Sequence, residues 1–217
     1  ALALPNFSVS WADLLVIGIL IVGVFRGRKR GMSEELLDII KWTLIVGIAG
    51  LLYERGGRWL AQTSVFSLLY SYVFAYVTIA LLIFSLFAFL KNKIGEKLVG
   101  SDVFGRGEYY LGMAAGAYRY LCVLLVAMAF LNARHYDATE IAGKNKYQDY
   151  NFGTKLIPTL PDIQKEVFDR SLTGRAAQDY LNVVLIRPTA SSEKNVAGEN
   201  SIKRQRERAV DQILDRK

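Results

Sequence analysis

A run of 26 residues, Val65 to Leu90, contains no Asp, Glu, Lys, Arg or His. As a helix it reaches about 39 Å at 1.5 Å per residue, more than the roughly 30 Å of a hydrocarbon core. A water-facing helix of that length needs a charged face, and this one has none. The run therefore predicts a helix dissolved in lipid, with Tyr70, Tyr72 and Tyr76 in its first half.

Three other segments are long enough to test against the same requirement. Tyr109–Leu131 is broken only by Arg119, and Leu36–Tyr53 carries Asp38 and Lys41 within its first turns. Trp11–Phe25 is short, and reaches span length only when extended back to about residue 9, with Trp11 as an interfacial anchor. For this segment two readings stay open, a span or a re-entrant or surface-lying helix. After Leu131 charges of both signs recur every few residues, so the chain divides by solvent. The expected organisation is a transmembrane region over 1–131, with helices at about 9–25, 35–53, 65–90 and 109–131. An extracytoplasmic region of short helices follows over 132–187, and 188–217 form a linker and a terminal amphipathic charged helix. The fold class expected is all-α: an integral membrane four-helix bundle with a mostly helical or irregular extracytoplasmic C-terminal tail.

The formal net charge of +7 has a membrane explanation that leaves nucleic acid without support as a partner. Arg26-Gly27-Arg28-Lys29-Arg30-Gly31 follows the first apolar segment, and Lys91, Lys93, Lys97 and Arg106 follow the third, whereas only Arg55 and Arg58 separate the second from the third. Basic residues in short loops stay on the cytoplasmic side. Four spans then place both termini outside. No basic stretch precedes the first apolar segment, so no cleaved secretory signal is expected, and the start at Ala1 fits removal of an initiator Met.

Candidate chemistry is sparse. The lone Cys122 excludes an intrachain disulfide, and the single His135, just past the fourth segment, excludes a His-built metal site. No nucleophile with a base partner and no ligand cluster stands out, so no catalytic residue, metal or cofactor is expected. The informative residues are those that lipid makes costly. Asp38 and Lys41 lie three apart, spaced to pair on one helix face. Arg119 falls about ten residues into its segment, where a charge needs a partner or water. Asp38 is the first candidate and Glu35 the next; alternatively the helix starts later and Arg119 sits at the interface. Asp13 faces the positive end of its own helix. Small residues mark close helix contacts in lipid, which singles out Gly112-Met113-Ala114-Ala115-Gly116, with Gly18 and Gly23, and Gly47 and Gly50, leaving similar room.

In the tail, Pro158 and Pro161 bracket a turn, Asp162 is suited to cap a short helix carrying Ile163, Val167 and Phe168, and Thr173–Val184 suits another with Ala176, Ala177, Tyr180, Leu181 and Val184 on one stripe. The tail's aromatics suffice to dock it on the membrane region or on another protein. Lys203, Arg204, Arg206 and Arg208 lie in the terminal helix.

The order of these features resembles the colicin V production protein (CvpA) family of bacterial inner-membrane proteins over about residues 11–131. The markers are Asp13 opening the first helix, the basic turn Gly27-Arg28-Lys29-Arg30-Gly31, Glu35 four residues later, and Glu108-Tyr109-Tyr110-Leu111-Gly112-Met113-Ala114-Ala115-Gly116-Ala117-Tyr118-Arg119. Two positions depart from the family pattern, Glu for Asp at 108 and Tyr for Arg at 109. The resemblance implies a four-helix inner-membrane protein linked to colicin V export and envelope homeostasis. The leading expectation is a non-enzymatic scaffold or accessory subunit of an envelope assembly. Its partners would be the bilayer, further copies of itself, or other membrane or envelope proteins. The alternative is an oligomeric channel or transporter using Asp38, Lys41 and Arg119.

Overall fold

The computed structural model describes residues 10–64, 66–99, 105–137, 140–143 and 158–190. The expected terminal helix, most of the linker before it, and Tyr147, Tyr150 and Phe152 lie outside the described residues.

Four long helices dominate: α1 (Trp11–Arg30), α2 (Met32–Thr63, with a π-helical turn at Ile45–Ala49), α3 (Leu68–Val99) and α4 (Glu108–Asn132). Over Met32–Thr63, Leu68–Lys93 and Glu108–Asn132 the helices are long and apolar enough to cross a membrane. α1 has 20 residues but carries Asp13 in its first turn and Arg28, Lys29 and Arg30 in its last.

The helices outrun the apolar segments that announce them. α1 continues to Arg30 rather than stopping at Phe25, α2 passes through Glu54 and Arg58 to Thr63, and α3 runs beyond Lys91 to Val99. Backbone hydrogen bonding does not stop where lipid does, and cations in the last turn of α1 are favoured by the helix dipole. The sequence Arg26–Gly31 is thus the end of a helix, not a loop. The reversal into α2 needs one residue, Gly31, whose φ of 77° lies in the left-handed region that a side chain disfavours.

α1 packs along α4, α4 also holds the first half of α2, and the second half of α2 lies against α3. Much of what faces outward is apolar: Leu14, Ile17, Ile21, Val22 and Phe25 on α1, and Phe74, Leu81, Leu82, Phe84, Leu86 and Phe89 on α3. In water such a surface drives aggregation, whereas acyl chains solvate it.

Beyond α4 the chain forms β1 (Arg134–His135), α5 (Leu160–Lys165, continuing as a π turn over Glu166–Arg170), α6 (Leu172–Leu181) and β2 (Thr189–Ala190). β1 and β2 pair in parallel, Arg134 opposite Thr189 and His135 opposite Ala190. Thr159 is the N-cap of α5, and Asp162 is its N3 residue rather than the cap itself, accepting the Thr159 N–H at 3.1 Å and its hydroxyl at 2.6 Å. α6 ends at Leu181, three residues short of Val184, and buries Ala177 while Tyr180 is 84% exposed, so Tyr180 leaves the expected stripe.

This region is seated on the helix ends. Phe168, Ala177, Leu185 and Ile186 share one core with Val16, Ala49, Tyr53, Tyr72, Tyr76, Met128, Ala129 and Ala133. The Tyr53 hydroxyl donates to the Leu185 carbonyl at 3.1 Å and accepts the Arg187 N–H at 3.0 Å. Asn132 donates to the Ile186 carbonyl at 3.0 Å, and the Gln164 amide donates to the Leu131 and Arg134 carbonyls.

Candidate functional site

Three features carry the polar and small residues singled out by the sequence: a glycine seam, an ionic cluster at one end, and a carboxylate clasp at the other.

The seam joins α1 to α4. Gly23, Gly27 and Gly31 recur every four residues, as do Gly112 and Gly116, so each set forms one ridge. A methyl group on Gly23 would stand 2.9 Å from the Gly116 carbonyl oxygen, one on Gly112 2.6 Å from that of Gly27, and one on Gly116 2.8 Å from the Gly27 Cα. On Gly27 it would overlap the Gly112 carbonyl. Backbone therefore meets backbone, the close approach that dispersion and weak polar contacts reward in lipid. Gly18 and Gly47 face open space, while a methyl group on Gly50 would stand 2.8 Å from the Cα of Val184 in the C-terminal region.

At the same end Glu108 fills a need that α2 creates. Gly31 offers no side chain to cap α2, and the Ser33 N–H instead donates to Glu108 Oε1 at 3.1 Å. Glu108 also lies over Gly31, where a methyl group would sit 2.8 Å from its Cγ. Sequence reasoning noted Glu108 as a departure but missed this cap. The available signal was a helix opening on glycine with no Ser, Thr, Asp or Asn before it.

The ionic cluster begins one turn further in. Glu35 is fully buried, and Asp38 and Arg119 are nearly so. Arg119 Nη1 lies 2.8 Å from Glu35 Oε2 and 3.2 Å from Asp38 Oδ2. Arg30 approaches the same two carboxylates at 3.5 and 3.6 Å, and Lys41 Nζ stands 2.7 Å from Asp38 Oδ1. Both candidates for Arg119 are thus engaged at once, and Arg30 joins them. The geometry follows from helix direction. α2 and α4 both start at the basic end, and helical side chains lean toward the N-terminus. Arg119, about 16 Å into α4 by helix rise, therefore reaches back toward Glu35 and Asp38. Two further contacts spread its neighbourhood over aromatic faces, Arg119 over Tyr120 at 5.1 Å and Lys41 over Phe84 at 4.9 Å. Chemically this is a set of mutually neutralising charges, three cations around two carboxylates.

The clasp lies at the opposite end of α1. Asp13 completes a capping box with Ser10, whose N–H donates to Asp13 Oδ2 at 3.2 Å. The same carboxylate accepts Ser171 Oγ at 2.7 Å, the Leu172 N–H at 3.2 Å, and the Thr173 N–H and hydroxyl at 3.1 and 2.9 Å. One anion therefore serves two helix N-termini, its own and that of α6. Beside it, the Ser10 hydroxyl donates to Glu166 Oε1 at 2.7 Å. The expectation that Asp13 answers only to α1 misses α6, because its partners lie 158 to 160 residues away.

His135 is exposed, 3.9 Å from Asp137. Among the described residues no group of three or more His, Cys, Asp or Glu could hold a metal ion. Cys122 is buried in α4.

No curated protein and no solved structure matches the chain. The family model described as colicin V production protein matches residues 12–146, from the residue before Asp13 to beyond α4. That interval takes in the seam, the ionic cluster and the acidic member of the clasp, and with more than half of its length so matched this membrane protein belongs to the colicin V production protein family.

Proposed function

We propose that the protein is a non-enzymatic scaffold or accessory subunit of an envelope assembly in the bacterial inner membrane, with the CvpA-like link to colicin export or envelope homeostasis that its family carries. The observation behind this reading is how the polar groups are spent. Glu35, Asp38 and Arg119 neutralise one another, Asp13 caps two helices, and Glu108 caps a third. Groups committed in this way build a rigid body rather than a reaction centre. The C-terminal region covers the end of that body and offers Tyr180 and Val183 outward, at 84% and 69% exposure.

In this reading α1 is a fourth span. Its apolar outer face, Leu14 to Phe25, supports that role, and its charges sit only at its ends. The end bearing Arg26–Arg30, Lys91 and Lys93 is cytoplasmic, and both termini with the C-terminal region are outside. Partners are further copies or other envelope proteins.

Purification in a mild detergent followed by mass measurement tests the assignment. A complex of several copies, or of this chain with other envelope proteins, is expected; a strictly monomeric particle without partners would overturn it. The channel reading draws on one observation, the excess of cations over carboxylates around Asp38. Ion flux through reconstituted vesicles that disappears in Arg119→Leu would favour it, and background leak in both proteins removes it.

A further inference from the structure

At the basic end, beside the glycine seam, side chains of α1 and α4 border an open cleft of about 670 Å³ lined by Phe25, Arg28, Lys29, Tyr109, Tyr110 and Met113. The two cations are exposed, and no ion pair among the described residues involves either of them, whereas their neighbour Arg30 is engaged by Glu34, Glu35 and Asp38. The remaining walls are apolar or aromatic, with Phe25 61%, Tyr109 61% and Tyr110 74% exposed. The cleft therefore has a charged rim, exposed tyrosines beside it and an apolar floor that continues into the outward apolar face of α1.

We infer that this cleft binds the headgroup phosphate of an anionic phospholipid. Arg28 and Lys29 supply the charge, the tyrosine hydroxyls supply donors, and the acyl chains follow Phe25 and Met113 into the membrane. Basic pockets between helices on the cytoplasmic side suit such headgroups, and tyrosine is favoured at that depth because one end of its ring is apolar and the other wet. The volume fits a glycerophosphate headgroup and not a folded partner. The inference rests on α1 and α4 both spanning, and is independent of whether the protein is a scaffold.

The test uses the full chain in nanodiscs of phosphatidylcholine with increasing fractions of phosphatidylglycerol, reading the lipid retained per protein by native mass spectrometry. Wild type should retain phosphatidylglycerol selectively. The double variant Arg28→Gln/Lys29→Gln should bind it roughly 25-fold more weakly, about fivefold per basic side chain near the surface. Arg55→Gln/Arg58→Gln, at the other end, should match wild type. A charge variant that fails to fold is replaced by Tyr109→Ala/Tyr110→Ala, which keeps the cations and should still lower selective retention. Equal retention by wild type and the cleft variants overturns the site. Displacement of the lipid by soluble glycerol phosphate at similar concentration overturns the lipid assignment in favour of a free phosphoanion. A monomeric, partnerless protein that still selects phosphatidylglycerol sinks the scaffold reading and leaves the cleft intact.

Discussion

Arg119 and Asp13 show how differently a charge is held near the two ends of α1. Arg119 has two carboxylates within 3.2 Å, both buried. Removing one member of a buried ionic set leaves its partners uncompensated, which costs about 3–5 kcal/mol. Arg119→Leu should therefore lower unfolding stability in detergent by about that amount, moderated because Arg30 and Lys41 still face the carboxylates. Arg119→Lys keeps a cation but loses the guanidinium whose Nη1 meets both carboxylates, and should fall between. Denaturant unfolding followed by circular dichroism distinguishes the three proteins, and equal midpoints would refute the structural role. Asp13 gains instead from donors, four of them from residues 171–173. Asp13→Ala removes a cap shared by two helices, so a loss of about 1–2 kcal/mol is expected at α6. Hydrogen exchange at the Leu172 and Thr173 amides should accelerate about tenfold through local opening, with amides in the middle of α3 unchanged.

Among the elements, the α1–α4 contact is set by what is missing from its glycines. Gly116→Ile would push α1 away along its length, and overpacking of this kind costs at least about 1–3 kcal/mol. Gly47→Ala, facing open space, should be neutral or slightly stabilising through helix propensity. Thermal unfolding of both variants in nanodiscs separates a packing seam from a chance spacing. These elements also show what the residues could disclose beforehand. Apolar runs revealed the helices because the penalty for charge in lipid is local and additive along the chain. Their true limits stayed hidden, since Arg26–Arg30 and Glu54–Arg58 read as loops when judged by solvent alone. The pairing of Gly23 with Gly116 could not be read either. Spacing marks a ridge, but not which ridge lies opposite. Asp38 and Arg119 were legible as a problem requiring a partner, and the number of partners depended on Arg30 remaining helical.

For the whole molecule the basic and the C-terminal ends lie on opposite sides of the membrane in the proposed topology. In a Cys122→Ser background, Tyr180→Cys should react with a membrane-impermeant thiol reagent on intact cells. Lys93→Cys should react only after the membrane is opened. Both positions are exposed, so access and not burial decides the result. Labelling of Lys93→Cys from outside would invert the orientation.

The clasp also imposes an order on biogenesis. Asp13 leaves the ribosome 158 residues before Ser171, a delay on the order of ten to thirty seconds at ordinary synthesis rates. Until then the first segment waits in the translocation machinery's vicinity with its buckle undone. Only a chain extended past residue 171, which in the proposed topology has by then crossed the bilayer, can fasten it, so products ended before that point would present an open amino-terminal edge to quality-control proteases.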